Sequence, residues 1–384
     1  MAVTLAYVAF FAVAALVVRH PIAGPAEEPA SIRGAIHVHS LFSDGRGTPE
    51  EIAEAAATAG LQFVILTDHN PTELPPPRYY AGVLLIFGSE LSTPAGHVVA
   101  LGMSRALARE ERERDVFGAV AKLGGRAFIA HPEQRKRPWT DWGAATGAAG
   151  LELYSADSMF RIALEHPITV LVPAAAAYLT DPGHGLLSLV RAQPELTRRA
   201  LELAEDRPVV TLCAHDAHGL PAYAEVFRAF ALYLSSSAGS ALPEDPNLAA
   251  HRVLEDVGLG RSWCGFRGVA SAAGFSIAGV GDRERQAFAG DTLTLHLPPW
   301  APQAIQLRIH GPAVLLPDGR RVRLERPGAV HIEIWARVPG MFFEGGWKPW
   351  IVPSPIRVVQ RPPVRSPPAT EGELSAGVPA SESG

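Results

Sequence analysis

Residues 36–70 read IHVHSLFSDGRGTPEEIAEAAATAGLQFVILTDHN. Two short apolar runs, Ile32–His37 and Gln62–Thr67, flank a stretch that reads as a helix over Pro49–Ala59. Thr48 followed by Pro49 has the form of an N-cap with proline in the first helical turn. Strand, helix, strand in about thirty-five residues is a βαβ unit, which requires a parallel sheet. The same stretch ends its strands on His37, His39 and Asp68-His69, and Asp44 follows the first strand. In an extended chain residues i and i+2 point to one side, so His37 and His39 can reach one ion.

The pattern continues outward. Further strands are expected at Val83–Phe87, His97–Leu101, Ala127–Ala130, Leu151–Tyr154 and Val209–Cys213, a helix at Asp115–Leu123, and a mostly helical region over 156–206. Each strand delivers an imidazole or carboxylate near one end: Glu90 in Gly88-Ser89-Glu90, then His97, then His131 before Pro132, then His215-Asp216-Ala217-His218. A lone histidine is more often a satisfied polar group than a ligand. A whole ordered set at strand ends is different, because burying these groups together without a cation is costly. Metal binding is therefore expected.

This ordered set, from IHVHSLFSDG through TDHN, GSEL, AHP and HDAH, resembles the PHP (polymerase and histidinol phosphatase) superfamily over roughly 34–220. With GRSWCGF and the late WIVPSPIRVV it is similar to the CehA/McbA-like branch, although Pro353-Ser354-Pro355-Ile356 lacks the asparagine usual there. The resemblance implies an α/β fold with a distorted (β/α)7 barrel and two or three divalent ions (zinc, manganese or iron) in its mouth. It implies His37, His39, Glu90 and Asp216 at one ion. Glu90 bridges to a second ion that takes His131 and His97, and Asp44, His69 and His218 hold a third. Glu90, Asp216 and His131 are the implied catalytic groups. Asp68 would orient His69 or cap its strand. His215 departs from the family pattern and is open between an extra ligand, a proton donor and an outward-facing side chain. The implied chemistry is hydrolysis of a phosphate ester by a hydroxide bridging two metals.

Charge fits that expectation. The chain has a net charge of −5, so no global basic field exists to hold double-stranded nucleic acid. Three site carboxylates are more than neutralised by two divalent ions, and a positive site suits a small anionic ester. Arg135, Lys136 and Arg137, flanked by Trp139 and Trp142, are candidate phosphate-binding residues; the alternative is a solvated basic turn with tryptophan packed beneath it. Carbamate or carboxylic ester hydrolysis of the CehA type, and a catalytically silent metal-stabilised binding module, are the competing functions. No nucleophile elbow, Walker loop or dinucleotide fingerprint occurs in the expected context.

The remaining chain divides by composition. Residues 2–18 are apolar without a break and end at Arg19-His20. A membrane anchor, a cleaved export signal and a buried helix all fit such a run. The first two place the barrel outside the cytoplasm and make the membrane a partner through residues 1–20. Residues 21–31 read as a linker and 32–284 as the metallohydrolase barrel. Alternating apolar and polar residues over 285–360 predict a small antiparallel β-sandwich, and 361–384 a disordered tail. Cys213 and Cys264 are the only cysteines; Cys213 is expected to be inert packing, and their separation gives no ground to assume a pair. Nothing in the sequence bears on oligomeric state.

Overall fold

The structure is a computed structural model that describes residues 2–17, 31–179, 181–235, 241–281, 285–338 and 346–362. The expected tail beyond 362 and nearly all of the expected linker lie outside the described residues.

After helix α1 (Ala2–Val17), the βαβ unit forms as read: β1 (Arg33–Val38), α2 (Pro49–Thr58) and β2 (Phe63–Leu66), with β1 and β2 parallel. α2 starts with a full capping box. Thr48 Oγ1 accepts from the Glu51 N–H at 3.2 Å, and Glu51 accepts from the Thr48 N–H at 2.8 Å. Its buried face is Ile52, Ala53 and Ala56, spaced to pack on the sheet. β3 (Arg78–Tyr80), β4 (Val83–Phe87), β5 (Ser89–Thr93), β6 (Gly96–Leu101), α3 (Arg109–Lys122), β7 (Arg126–Ile129) and β8 (Gly150–Ser155) follow. A helical segment then carries α4 (Ala156–Glu165), α5 (Val172–Tyr178), α6 (Pro182–Leu189) and α7 (Pro194–Ala204). β9 (Val210–Ala214), α8 (Tyr223–Ala229), β10 (Ala231–Leu234), α9 (Pro246–Gly258) and β11 (Ser262–Gly265) complete this part.

The distorted (β/α)7 barrel is not shown as such: no sheet closes among the described residues. One open sheet runs β3-β4-β2-β1-β10-β11, and a second, five-stranded sheet runs β5-β6-β7-β8-β9. Single bridges join them, Val38 to Ala217 and His69 to Glu90. The physical reason lies at the ligand positions. His37, His131 and Asp216 have φ of 61°, 29° and 45°, the left-handed region that L-residues disfavour. The β1–β2 register shifts between Ile36 and Val38, at His37. Backbone bent to aim a side chain inward cannot continue a regular ladder.

The C-terminal strands are β12 (Ser276–Ala278), β13 (Gln286–Phe288), β14 (Thr292–His296), β15 (Ile305–His310), β16 (Ala313–Leu315), β17 (Arg321–Leu324), β18 (Gly328–Arg337), β19 (Trp347–Pro353) and β20 (Ile356–Val359). β12-β14-β17-β16 form one antiparallel sheet. It covers a small core of Leu293, Leu295, Val322, Leu324, Val330 and Ile332. The facing layer is not separate: β18 pairs β19, and β19 pairs β11 with Cys264 opposite Val352. The first sheet therefore runs on into the sandwich.

Cys213 and Cys264 correct the reading of inert, unpaired packing. They form a disulfide across a Cα separation of 5.7 Å, linking β9 of one sheet to β11 of the other. Both are buried. Lys348 of β19, also buried, donates to the carbonyls of Val190 at 2.7 Å and Ser188 at 3.3 Å. A cation at the C-terminal end of α6 complements the helix dipole and ties α6 to the sandwich.

Among the described residues no single helix is long and apolar enough to cross a membrane. α1 packs on α5, and the Tyr7 hydroxyl donates to the Ile168 carbonyl at 2.9 Å.

Candidate metal centre

The ends of β1, β2, β7 and β9 and the starts of β5 and β6, with the loops that follow β1 and β9, bring nine predicted residues into one cluster. His37 and His39 leave β1, and both are fully buried. His37 Nε2 lies 3.1 Å from Glu90 Oε2 and 3.5 Å from Asp216 Oδ1. His39 Nε2 lies 3.1 Å and 3.4 Å from the same two oxygens. Yet His37 Nε2, His39 Nε2 and Glu90 Oε2 are buried with no aligned hydrogen-bond partner. Such orphans are costly unless something fills the space between them. Ligand atoms about 2.0–2.2 Å from one ion lie roughly 3.0–3.5 Å from each other. The observed spacings match, so the residues fit a divalent cation.

Glu90 reaches two ways. Its Oε2 faces His37, His39 and, at 3.3 Å, His69 Nδ1. Its Oε1 sits 2.6 Å from His97 Nδ1 and 2.8 Å from His131 Nε2. That is the disposition of a carboxylate shared by two cations. A further group joins His39, Asp44, His69 and His218. Asp44 Oδ1 is 3.4 Å from His39 Nδ1 and 3.4 Å from His218 Nε2, and its Oδ2 is 3.6 Å from His69 Nε2. Asp44 is the exposed member, at the mouth. Mixed imidazole and carboxylate donors suit zinc, manganese or iron.

Protonation follows the same logic. Burial pulls the His37 and His39 imidazoles down, but the nearby carboxylates outweigh it. Glu152, Asp216 and Glu90 hold His37 well above its ordinary value, and Asp216 and Glu90 push His39 to about 9. Burial alone would raise Glu90 and Asp216; the facing imidazoles, His37 first, hold both carboxylates low. The pocket demands positive charge, which a proton supplies when no cation does. His69 differs, because burial lowers it on balance.

Asp68 is in none of the candidate metal groups, and its carboxylate bonds to the loop at 40–43 rather than to His69. It accepts from the Ser40 N–H at 2.8 Å, the Ser40 hydroxyl at 2.7 Å and the Ser43 hydroxyl at 2.6 Å, fixing the loop that carries Asp44. His215 belongs to none of the candidate metal groups, although it lines the adjoining cavity. Its Nε2 donates to the Phe230 carbonyl at 3.0 Å, its Nδ1 accepts from the Ile36 N–H at 3.3 Å, and its ring stacks on Phe230. Burial pushes its pKa down to about 4, so it is a neutral brace between strands. Of the basic loop, Arg135 pairs with Glu165 at 2.8 Å, and Arg135, Lys136 and Arg137 are all exposed. Trp139 is buried, with Nε1 donating to the Asp141 carbonyl, which is the bland alternative for that residue.

Three residues escaped the sequence reading. Glu152, buried in β8, accepts from His37 Nδ1 at 2.6 Å and from the His131 N–H at 2.7 Å. It fixes the His37 tautomer with Nε2 free to ligate. Its signal was a carboxylate inside the apolar run Leu151–Tyr154. The others are Arg46 and Arg161. Both line a cavity of about 280 Å³ that also touches Asp44, Asp216 and His218. Arg161 is held by Asp157 and feels the charges of Asp216 and Asp44; Arg46 has no ion pair among the described residues.

Residues 35–164 match the family model described as the PHP domain. An error-prone DNA polymerase of Nocardia farcinica is 30% identical over 131 residues, 32% of this chain and 10% of the polymerase. One from Mycolicibacterium paratuberculosis is 27% identical over 206 residues, 49% of this chain and 18% of the polymerase. The chain thus spans under a fifth of the length of these two relatives. A solved two-domain protein of Bacteroides vulgatus, containing a predicted PHP-like metal-dependent phosphoesterase, aligns over 87% of this chain and 99% of its own, with a TM-score of 0.42 and 14% identity. The PHP match takes in His37, His39, Asp44, His69, Glu90, His97 and His131 of the cluster, whose donors fit divalent metals.

Proposed function

We propose that this chain is a metal-dependent phosphoesterase acting on a small anionic ester outside the cytoplasm. The observation that carries the reading is Glu90, with one oxygen among His37, His39 and His69 and the other between His97 and His131, beside a cavity with two arginines. His37, His39, Glu90 and Asp216 would hold one cation, Glu90, His97 and His131 a second, and Asp44, His69 and His218 a third. Bound there, divalent ions supply positive charge for a developing phosphoryl transition state and acidify water at neutral pH.

The chain's own residues do the rest. Glu152 keeps the His37 proton on Nδ1. The Asp216 carbonyl takes the His218 Nδ1–H at 2.9 Å, which turns Nε2 toward Asp44. Arg46 and Arg161, on the wall of the adjoining cavity, would grip the phosphoryl oxygens that the cations do not hold.

The apolar start and the buried disulfide support the extracytoplasmic site, since structural disulfides persist in oxidising compartments. The CehA/McbA-like branch is part of this proposal and rests on the late sequence motifs. The largely apolar cavity wall also favours a second reading, hydrolysis of a carboxylic or carbamate ester. One experiment separates them: metal-reconstituted full-length protein assayed on phosphomonoesters, phosphodiesters and carboxylic esters. Phosphomonoester turnover abolished by chelation is expected; turnover of carboxylic esters alone would overturn the phosphoesterase reading.

A further inference from the structure

The cavity beside the metal centre has a mixed lining. Asp44, Asp157, Asp216, His215, His218 and the two arginines are its polar part, and leucine, valine, methionine and phenylalanine make up most of the rest. It does not stop there. A second cavity of about 270 Å³, almost wholly apolar, shares Phe160, Leu186, Leu189, Leu220 and Pro221 with the first and extends to Leu171, Ala174 and Tyr178 of α5 and the turn before it. The two cavities abut across these side chains and together offer a passage, charged beside the metal centre and almost wholly apolar beyond.

The outer rim is apolar as well. Leu179 is 80% exposed, Leu220 71% and Ile168 68%, and Leu164 and Phe160 are partly exposed beside them. Contiguous exposed apolar surface on a folded chain marks a contact with something apolar. α1 continues the patch: it packs on α5, Tyr7 bonds to Ile168, and Val3, Leu5, Phe10 and Val13 face outward.

We infer that the substrate is an amphiphile, a phosphate ester of a long alkyl alcohol, whose chain lies in this passage and whose phosphate meets the metal centre. The polarity of the passage matches that of the ligand end for end. The exposed rim and α1 form the face through which such a molecule enters from a lipid layer. The inference rests on the phosphoesterase reading and names its substrate class. Water's oxygen bonds to phosphorus, the bond from phosphorus to the alkyl oxygen breaks, and the proton released by water ends on that oxygen. The products are the alcohol and inorganic phosphate.

The test is a series of butyl, octyl and dodecyl phosphates, each below its micelle concentration, with metal-loaded full-length protein. Full burial of a methylene corresponds to roughly fourfold in affinity. A rise in kcat/KM of a hundredfold from butyl to dodecyl therefore needs only part of the chain to be buried. Phe160→Asp and Leu220→Asp, at the exposed rim, should each cut the dodecyl-to-butyl ratio tenfold or more. A flat series, or a ratio unmoved by both variants, overturns the inference and leaves the phosphoesterase reading standing. If no phosphate ester of any length turns over, that reading falls, and calorimetry decides the passage: dodecyl phosphate binding no tighter than butyl phosphate overturns it, tighter binding upholds it.

Discussion

Glu90 carries the centre because its two oxygens face two sets of imidazoles. Glu90→Gln keeps the volume but removes the negative charge that would lie between two cations in the proposed centre. The expected result is a loss in kcat/KM on the order of a thousandfold or more, with the circular dichroism spectrum retained. Wild-type turnover in that variant would end the bridging assignment. Glu152 acts one step back. Glu152→Gln leaves an amide that can present its N–H to His37 Nδ1, favouring the wrong tautomer. Metal affinity should fall about 10–100-fold by competition with a chelator. Both effects arise at single atoms, yet only Glu90 was legible from its motif. Glu152 looked like one more residue of a buried strand, because a sequence does not say which carboxylate lies behind which histidine.

The loop 135–137 and the strand β18 show what an element's surroundings do to residues that look alike in sequence. The three cations of the loop are exposed, Arg135 is paired with Glu165, and none lines the cavity. Replacing all three with serine should leave KM for a phosphate ester within about twofold, whereas Arg46→Ala should raise KM several-fold with a smaller change in kcat. Steady-state kinetics at low salt checks both, because exposed charges are screened at high salt. In β18, His331 is fully buried with Nε2 against the Pro353 carbonyl at 3.0 Å. Burial lowers it to about 4, opposed by Glu333 and assisted by His310 and Arg285. The sign follows from the lowered value: the unfolded chain takes up the proton first, so stability is full above about 6.5 and falls as pH drops toward 4. The loss approaches about 1.4 kcal/mol per pH unit from this one group. Urea midpoints measured from pH 7 to pH 4.5 should slope less steeply in His331→Leu than in the wild type, and equal slopes would refute the assignment.

The whole molecule is two open sheets, a helical segment over one end of the site, and a sandwich grown from the first sheet. Its integrity depends on crosslinks that span it. The Cys213–Cys264 disulfide closes a loop with a sequence separation of 51. On the chain-entropy account this is worth roughly 4 kcal/mol. Cys264→Ser should lower the urea midpoint accordingly, and reductant should do nothing further to that variant. A bound metal would be the second crosslink, since the candidate ligands come from both sheets. The full chain supplied with manganese or zinc should carry two or more ions, and a chelator should lower both activity and thermal stability. Fewer than one ion per chain after gentle purification counts against the centre.

Several features were open to reading from the sequence alone: the βαβ start, the strands that carry His37, His39, His69, His131 and Asp216, the α2 cap, and the alternating strands of the sandwich. Each depends on neighbours within a few residues, on periodicity, capping or the reach of i and i+2 side chains, and local order in the chain preserves these. The left-handed kinks at His37, His131 and Asp216, the Cys213–Cys264 pair, the Glu152 brace, the position of Arg46 and Arg161 on the cavity wall and the apolar lining beside α4–α6 were decided only by the tertiary structure. All of these depend on which distant segments meet, and that is set by the packing of the whole core.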